Sequence, residues 1–452
     1  MSVTIEPEGY CTEHSCTCGP PPKRRRVRRV SILDVLNVDL VRNAIFHYVP
    51  LGDLLRSERV CQRWRSAVHH YLRGARRIRS KLHITAPWHP PPPRLCSCQR
   101  LLPLDESRAP HYSTALYKWG AAVEAAPCTA ESFEDIAEQC TNIREITFYG
   151  FPDREIVKDS IANGRLRNLR RVAFRNLVTE DEDREQATDE DITTLLESRQ
   201  ITELTVIGND QITGTFLHHL NQNITSLRLR NCPNLNYKHL LDILDSLINV
   251  TILDLSRNSP DVLKNVHLLL DVMPKLEHLE LSGYEKVELD GTLKGHERLE
   301  SLKHLNLRRN KNVNDDWLET IARGKKLVTF DVSYCKGVTM TGLTEVCESS
   351  KSMSELAIAD NDDISDEDVE TIIRLLPFLT ILNIQKCRGV TPDLVVYLAR
   401  IMRRRNRWRL PALRLRLYGT VVPEAMPMVY SFILDFAKGA TLDPKPSPYL
   451  GF

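Results

Sequence analysis

The sequence has no run of about 18 apolar residues, which excludes a helical membrane span of ordinary length. Its start, MSVTIEPEGYCTEHS, lacks a basic stretch followed by an apolar run, so a secretory signal is not expected. Neither sign of charge is in excess. Lys and Arg number 61 against 59 Asp and Glu, a net charge of +2, so global charge does not select nucleic acid or an anionic membrane. Catalytic signatures are missing: there is no G-x-S-x-G elbow, no G-x-x-x-x-G-K-(S/T) phosphate loop and no H-E-x-x-H. His296-Glu297 is followed by Glu300 where a second metal-binding His would stand. The expectation is a protein that is not an enzyme and uses no cofactor. The 12 cysteines are scattered, several inside apolar periodic segments where a reduced thiol acts as a small hydrophobe. Without a secretory signal, a thiol-reducing compartment is expected, cytoplasm and/or nucleus.

What is present is a repeat. The pattern L-x-x-L-x-L-x-x-(N/C) occurs at Ile201-Leu204-Val206-Asn209, Ile224-Leu227-Leu229-Cys232 and Val250-Leu253-Leu255-Asn258. It continues at Leu276-Leu279-Leu281, Leu302-Leu305-Leu307-Asn310, Leu327-Phe330-Val332-Cys335, Met353-Leu356-Ile358-Asn361 and Leu379-Leu382-Ile384-Cys387. From position 224 successive starts differ by 26, 26, 26, 25, 26 and 26 residues. Less regular copies start at Ile143 and Leu169, and a degenerate one at Leu410. Three residues after the Asn or Cys comes an aliphatic and then a helix-capping residue: Thr213, Asn236, Asn314, Thr339, Ser365 and Thr391. Helical apolar spacing follows, as in Trp317-Leu318-Ile321-Ala322 and Val369-Ile372-Ile373-Leu376. Each unit is a short strand, a turn and a helix. One unit cannot bury its own apolar face, so the units must stack. The Asn or Cys at the inward turn is expected to bond backbone amides that would otherwise be buried unpaired.

This pattern resembles the leucine-rich repeats, in their 26-residue cysteine-containing form. The fold class it implies is α/β: a leucine-rich-repeat solenoid, or horseshoe, with strands on the concave side. Strand alternation then turns Arg228, Arg230, Asp254, Glu280, Asn306, Arg308, Asp331, Asn383 and Gln385 outward on the concave face, with Ser256 and Ser333 among them and His304 and Tyr334 flanking. Concave solenoid faces commonly hold partners.

A second signal lies at residues 31–72. Apolar residues recur at helical spacing: Val41 and Ile45, then Leu51, Leu54 and Leu55, then Val60, Trp64 and Val68. Pro50 separates the first two groups, and three short helices are expected. A module of about 40 residues is too small to hide all these side chains alone. The segment resembles an F-box in Ile45-Phe46-His47-Tyr48-Val49, Asp53-Leu54-Leu55 and Val60-Cys61-Gln62-Arg63-Trp64. Where the family opens with Leu-Pro, this chain has Leu36-Asn37-Val38. The resemblance implies a small three-helix F-box that docks a Skp-type adaptor, and through it a cullin–RING ligase. Ile45, Phe46, Leu51, Leu54, Leu55, Val60 and Trp64 would form the docking surface. The repeats would hold an unknown protein substrate for ubiquitination, with no nucleic-acid or membrane partner. The alternative is a repeat scaffold without ligase association, its F-box helices acting as a solenoid cap.

The domain reading is therefore a basic, Pro-rich tail at 1–30, an F-box at 31–72 and an irregular linker or N-terminal cap at 73–139. Leucine-rich repeats occupy 140–420, and a C-terminal cap and tail 421–452, with a helix from Met428 to Phe436. Lys23, Arg24, Arg25, Arg26, Arg28 and Arg29 are candidate nuclear-import residues. An acidic insertion is expected around Glu180–Asp183 and Asp189–Asp191, and a basic run spans Arg400–Arg409. No metal is expected. Cys11, Cys16, Cys18, His89, Cys96 and Cys98 lack C-x₂-C spacing, and the adjacent His69-His70 and His218-His219 face different sides of a helix.

Overall fold

The computed structural model describes residues 59–74, 78–83, 100–105, 120–175, 186–285, 300–323, 326–394, 410–422 and 432–435, with single positions around them such as Ile45, Phe46, Asp53 and Leu54. The basic N-terminal run, the Pro-rich segment at 89–93, Leu51, Leu55, Glu180–Asp183 and Arg403–Arg409 lie outside the described residues.

In chain order the elements are α1 (Gln62–Gly74), β1 (Ile78–His83), β2 (Arg100–Asp105), β3 (Val123–Cys128), α2 (Phe133–Gln139), β4 (Glu145–Phe148), α3 (Arg154–Ala162) and β5 (Arg171–Arg175). Then follow α4 (Asp189–Leu196), β6 (Glu203–Ile207), a 3₁₀ helix (Thr215–His219), β7 (Ser226–Arg230), α5 (Tyr237–Leu241), β8 (Ile252–Asp254), α6 (Pro260–Leu270) and β9 (His278–Glu280). The remainder are β10 (His304–Asn306), α7 (Asp315–Ala322), β11 (Thr329–Asp331), α8 (Met340–Ser349), β12 (Glu355–Ala357), α9 (Asp366–Leu375), β13 (Ile381–Asn383), β14 (Leu413–Arg416) and β15 (Phe432–Asp435). Among the described residues, fifteen strands pair in parallel in one sheet, in sequence order from β3 to β15, with β1 next to β3 and β2 at the edge. The chain is a leucine-rich-repeat solenoid.

The register shows why a 26-residue period builds this sheet. Leu227, Leu253, Leu279, Leu305, Phe330, Leu356, Leu382 and Leu415 are successive partners across β7 to β14. Each is buried, as are the row two residues on (Leu229, Leu255, Leu281, Leu307, Val332, Ile358, Ile384) and, from Ile224 to Leu379, the row three residues before. Strands stack about 4.8 Å apart, so each Leu meets its counterpart in the next repeat and a continuous core results. A hydroxyl ladder runs beside it: Thr225 donates to the Thr202 carbonyl (3.1 Å), Thr251 to that of Thr225 (3.0 Å) and Thr380 to that of Ser354 (2.8 Å).

The Asn/Cys position bonds backbone amides as expected and does a second task besides. Asn209 accepts from the amides of Gln211 and Ile212, Asn258 from that of Cys232 and Asn361 from that of Asp363. The more general task is donation to carbonyls. Asn310 Nδ2 bonds the carbonyls of Leu281 and Leu307, both at 2.7 Å, and Asn258 those of Leu229 and Leu255. The Cys335 thiol reaches the Leu307 carbonyl (3.2 Å) and the Cys387 thiol that of Ile358 (3.4 Å). Where the chain turns inward, strand-end carbonyls lose their ladder partner, and a short donor satisfies them.

The expected caps form at Asn236, Asn314, Thr339 and Ser365, the last in a capping box with Asp368. Thr213 does not cap the 3₁₀ helix; its amide and hydroxyl are held by Asp189 of the preceding repeat. Asp315 holds Thr339 and Asp366 holds Thr391 in the same way. Each aspartate is the first residue of its helix or of the matching position, so it joins one repeat to the next. Asp189, Glu190 and Asp191 therefore belong to the first turn of α4, whereas an inserted acidic loop is expected from their density.

The sheet extends past the recognisable repeats at both ends. β1, β2 and β3 lie in 73–139, where an irregular linker is expected. In β3 the pattern positions hold Val123, Ala126 and Cys128, all buried, and their small side chains conceal the pattern. At the C-terminus the helix expected at Met428–Phe436 is corrected to strand β15, paired with β14. Leu434 continues the row of Leu382 and Leu415, and the open edge of β14 supplies the ladder partners that hold Phe432–Asp435 extended.

Candidate functional sites: the N-terminal helices and the concave face

The N-terminal module is organised around Phe46. Its ring is fully buried and packs against Trp64 (centroids 5.8 Å apart) and edge-on against Tyr71 (5.5 Å). Leu54, Ala67 and Val68 are buried with it. Of the seven expected docking residues, Phe46 and Leu54 are therefore core, and Trp64 is half-buried. Ile45 and Val60 face outward, Val60 with 70% of its surface exposed. Helix α1 begins with the Trp64 amide on the Cys61 sulfur (3.4 Å), and the Ser57 hydroxyl closes on the Leu54 carbonyl (2.6 Å). These short-range bonds fix Val60 at the corner between Leu54 and Trp64.

On the concave face, strand register aligns Arg228, Asp254, Glu280, Asn306, Asp331, Ala357 and Asn383 as one row. The expectation that all project outward needs correction. Asp254, Glu280, Asp331, Asn383 and Gln385 are buried, and so are Ser256 and Ser333. The short side chains fold back onto their own strand ends. Asp254 accepts from the Ser256 amide (2.9 Å), Asn306 from Arg308 (3.0 Å), Asp331 from Ser333 (2.9 Å) and Asn383 from Gln385 (3.2 Å). Ser256 and Ser333 hydroxyls in turn accept from Ser282 and Ala359 amides in the next repeat. Alternation set the direction of the Cβ atoms, but this local turn redirected the polar ends. Arg228, Arg230, His304, Asn306, Arg308 and Tyr334 remain partly accessible.

Crowding acidic groups in a dry row perturbs them. Burial, then the neighbouring Asp254 carboxylate, raises the Glu280 pKa to about 7, against the pull of Arg228 and Arg230. Burial raises that of Asp331, whose Oδ2 is buried without a hydrogen-bond partner. Beside this row, His278 and His304 stack face to face at 3.9 Å, and His304 Nδ1 meets the Thr329 hydroxyl at 2.8 Å. Burial, then His304 and Arg228, lowers the His278 pKa to about 4. These side chains line a shallow depression with Asn306, Phe330 and Glu355, and none of His278, Thr329 or Glu355 was singled out by sequence. The signal was available, because His278, His304 and Thr329 share one position of the repeat.

At the strand ends a second row carries left-handed backbone: Asn231, Arg257, Arg309, Tyr334, Asp360 and Lys386, with Gly208, Gly283 and Gly419 in the same position. At Gly283 a side chain would meet the Arg257 stem at 2.5 Å. The Tyr334 ring is surrounded by Arg308, Arg309 and Lys386 at 4.7, 5.1 and 5.2 Å. Burial and the charges of Arg230, Arg309 and Arg308 hold the Arg257 guanidinium below its ordinary value. The concave face thus pairs an acidic floor with a basic, aromatic rim.

Such a molecule is an F-box domain joined to a leucine-rich-repeat solenoid. The F-box domain family matches residues 39–73, and that segment belongs to it. No curated protein matches the chain. Similar solved structures include the yeast Rad7–Elc1 complex, at 14% identity over 72% of this chain and 78% of that chain with a TM-score of 0.49. The TLR13–ssRNA13 complex is similar at 13% identity over 71% of this chain and 66% of that one (TM-score 0.26). The Toll–Spatzle complex of Drosophila is similar at 13% over 68% of this chain and 47% of that one (TM-score 0.32). Among the described residues no helix is long and apolar enough to cross a membrane.

Proposed function

We propose that this chain is a substrate-recognition adaptor of an SCF-type E3 ubiquitin ligase. Its F-box binds a Skp-type adaptor and through it a cullin–RING ligase. The repeats hold a protein substrate for ubiquitination and degradation. The chain itself supplies effective concentration and no covalent chemistry. The domain division behind this reading is an F-box at 31–72 and repeats at 140–420, with the substrate on the concave face.

The observation that supports it most is the F-box match together with Val60. Val60 is 70% exposed next to the buried Phe46 and Leu54, and an apolar side chain left outward within the family segment supports a partner-facing role. On the concave side the accessible residues Arg228, Arg230, His304, Asn306, Arg308 and Tyr334 offer a mixed basic and aromatic face, which suits an acidic stretch of substrate.

The test is co-purification of the tagged full chain with a Skp-type adaptor, compared with Val60→Asp. Val60 contributes little to the core, so the variant keeps its fold and loses the adaptor. An undiminished association of Val60→Asp, or no adaptor with the wild-type chain, overturns the reading and favours the solenoid-cap alternative.

A further inference from the structure

The convex side holds a cluster that the ligase reading does not use. His218 lies in the 3₁₀ helix Thr215–His219, and His239 lies one repeat later in α5. Asp242 ends α5. His218 Nε2 and His239 Nδ1 are 3.0 Å apart, and Asp242 Oδ2 is 3.9 Å from each. Among the described residues this is the one group of three His, Cys, Asp or Glu side chains whose ligand atoms converge this closely. No Lys or Arg among the described residues pairs with Asp242.

We propose that His218, His239 and Asp242 form a binding site for a borderline divalent ion of the Zn²⁺ type, joining two successive repeats. The three distances decide the case. The point equidistant from the three atoms lies about 2.1 Å from each, the usual bond length of zinc to imidazole nitrogen and carboxylate oxygen. The two ring planes stand at 86° to one another, and both rings are partly exposed. Two imidazoles and one carboxylate suit zinc and its neighbours, whereas calcium and magnesium prefer oxygen ligands throughout. All three side chains are partly exposed, so the ion has an open path and water completes its coordination. In the metal-free chain one imidazole donates an N–H hydrogen bond to the other; when the ion binds, that ring carries its hydrogen on its other nitrogen and both facing nitrogens offer lone pairs. The location gives the site a purpose. The 3₁₀ helix and α5 are only five residues each, so little helix surface is packed between these two repeats, and a bound ion would clamp them.

His218 and His219 are adjacent in sequence and so make no shared site with each other. The partner is 21 residues away, nearly one repeat, and stacking alone brings it close.

The experiment uses the full chain, stripped with a chelator, then titrated with Zn²⁺ by calorimetry and with Co²⁺ by absorption. The expected result is one equivalent bound with micromolar affinity, a Co²⁺ spectrum lacking a thiolate charge-transfer band, and a raised melting temperature. His239→Ala and Asp242→Asn each weaken binding at least tenfold, while His219→Ala leaves it unchanged. Asp242 lies on the surface, so Asp242→Asn keeps the test valid if His239→Ala fails to fold. Unchanged affinity in Asp242→Asn, a thiolate band assigning the ion to cysteines, or no binding below millimolar Zn²⁺ overturns the proposal.

Discussion

Replacing Glu280 by Gln is expected to stabilise the protein at pH 8 and to change it little at pH 5. Burial and the adjacent Asp254 carboxylate raise the pKa of Glu280 from 4.5 to about 7. An acid raised in this way is held in its protonated form more tightly by the folded chain than by the unfolded one. Its favourable contribution is complete below about 4.5 and is lost as the pH climbs through about 7. At about 1.4 kcal/mol per pKa unit, the ionised carboxylate costs on the order of 3 kcal/mol at pH 8, an upper bound because Asp254 shares the effect. Gln keeps the shape and cannot ionise, so a gain of roughly 1–3 kcal/mol is expected at pH 8. His278 acts in the opposite sense. Its pKa is lowered from 6.5 to about 4, so its unfavourable contribution fades as the pH rises across that interval. The two slopes oppose each other between about 4.5 and 6.5, and Glu280→Gln uncovers the rising limb due to His278. Urea denaturation of both proteins at pH 5, 6, 7 and 8, followed by far-UV circular dichroism, measures the difference. A variant less stable than wild type at pH 8, or a difference that does not vary with pH, refutes the reasoning.

Asn310→Ala should cost about 1–3 kcal/mol, because it leaves the Leu281 carbonyl buried without its donor and the Leu307 carbonyl with the Cys335 thiol alone; equilibrium denaturation reads this directly, and a loss below about 0.5 kcal/mol argues against the donor role. Burial raises the thiols of Cys140, Cys232, Cys335, Cys347 and Cys387 to a pKa of about 12, whereas Cys61 is exposed. Iodoacetamide at pH 7.5 should therefore label Cys61 long before these five in the native chain; peptide mass spectrometry that finds Cys335 modified as fast as Cys61 would contradict the buried placement.

The repeat core was legible because the period is strict: each Leu, Ile or Val of the pattern that can be described in β6 to β13 is buried. The caps at Asn236, Asn314, Thr339 and Ser365 were legible for a similar reason, since capping is decided within four residues. Thr213 was not, because its partner Asp189 belongs to another repeat. The concave face was half legible. Alternation chose the right positions, but the return of Asp254, Asp331 and Asn383 to amides two residues on removed them from the accessible surface.

Sequence alone determined the repeating unit, its length and the apolar rows, because these follow from side-chain periodicity along the chain. It also determined the F-box segment, through the spacing of Phe46, Val60 and Trp64. Only the tertiary structure decided which residues from different repeats meet. The stacked His278 and His304, the crowding of Asp254 on Glu280 and the convergence of His218 with His239 and Asp242 all join groups more than 20 residues apart. Sequence distance says nothing about such contacts until stacking sets the register, and stacking is a collective result of burying every leucine row at once.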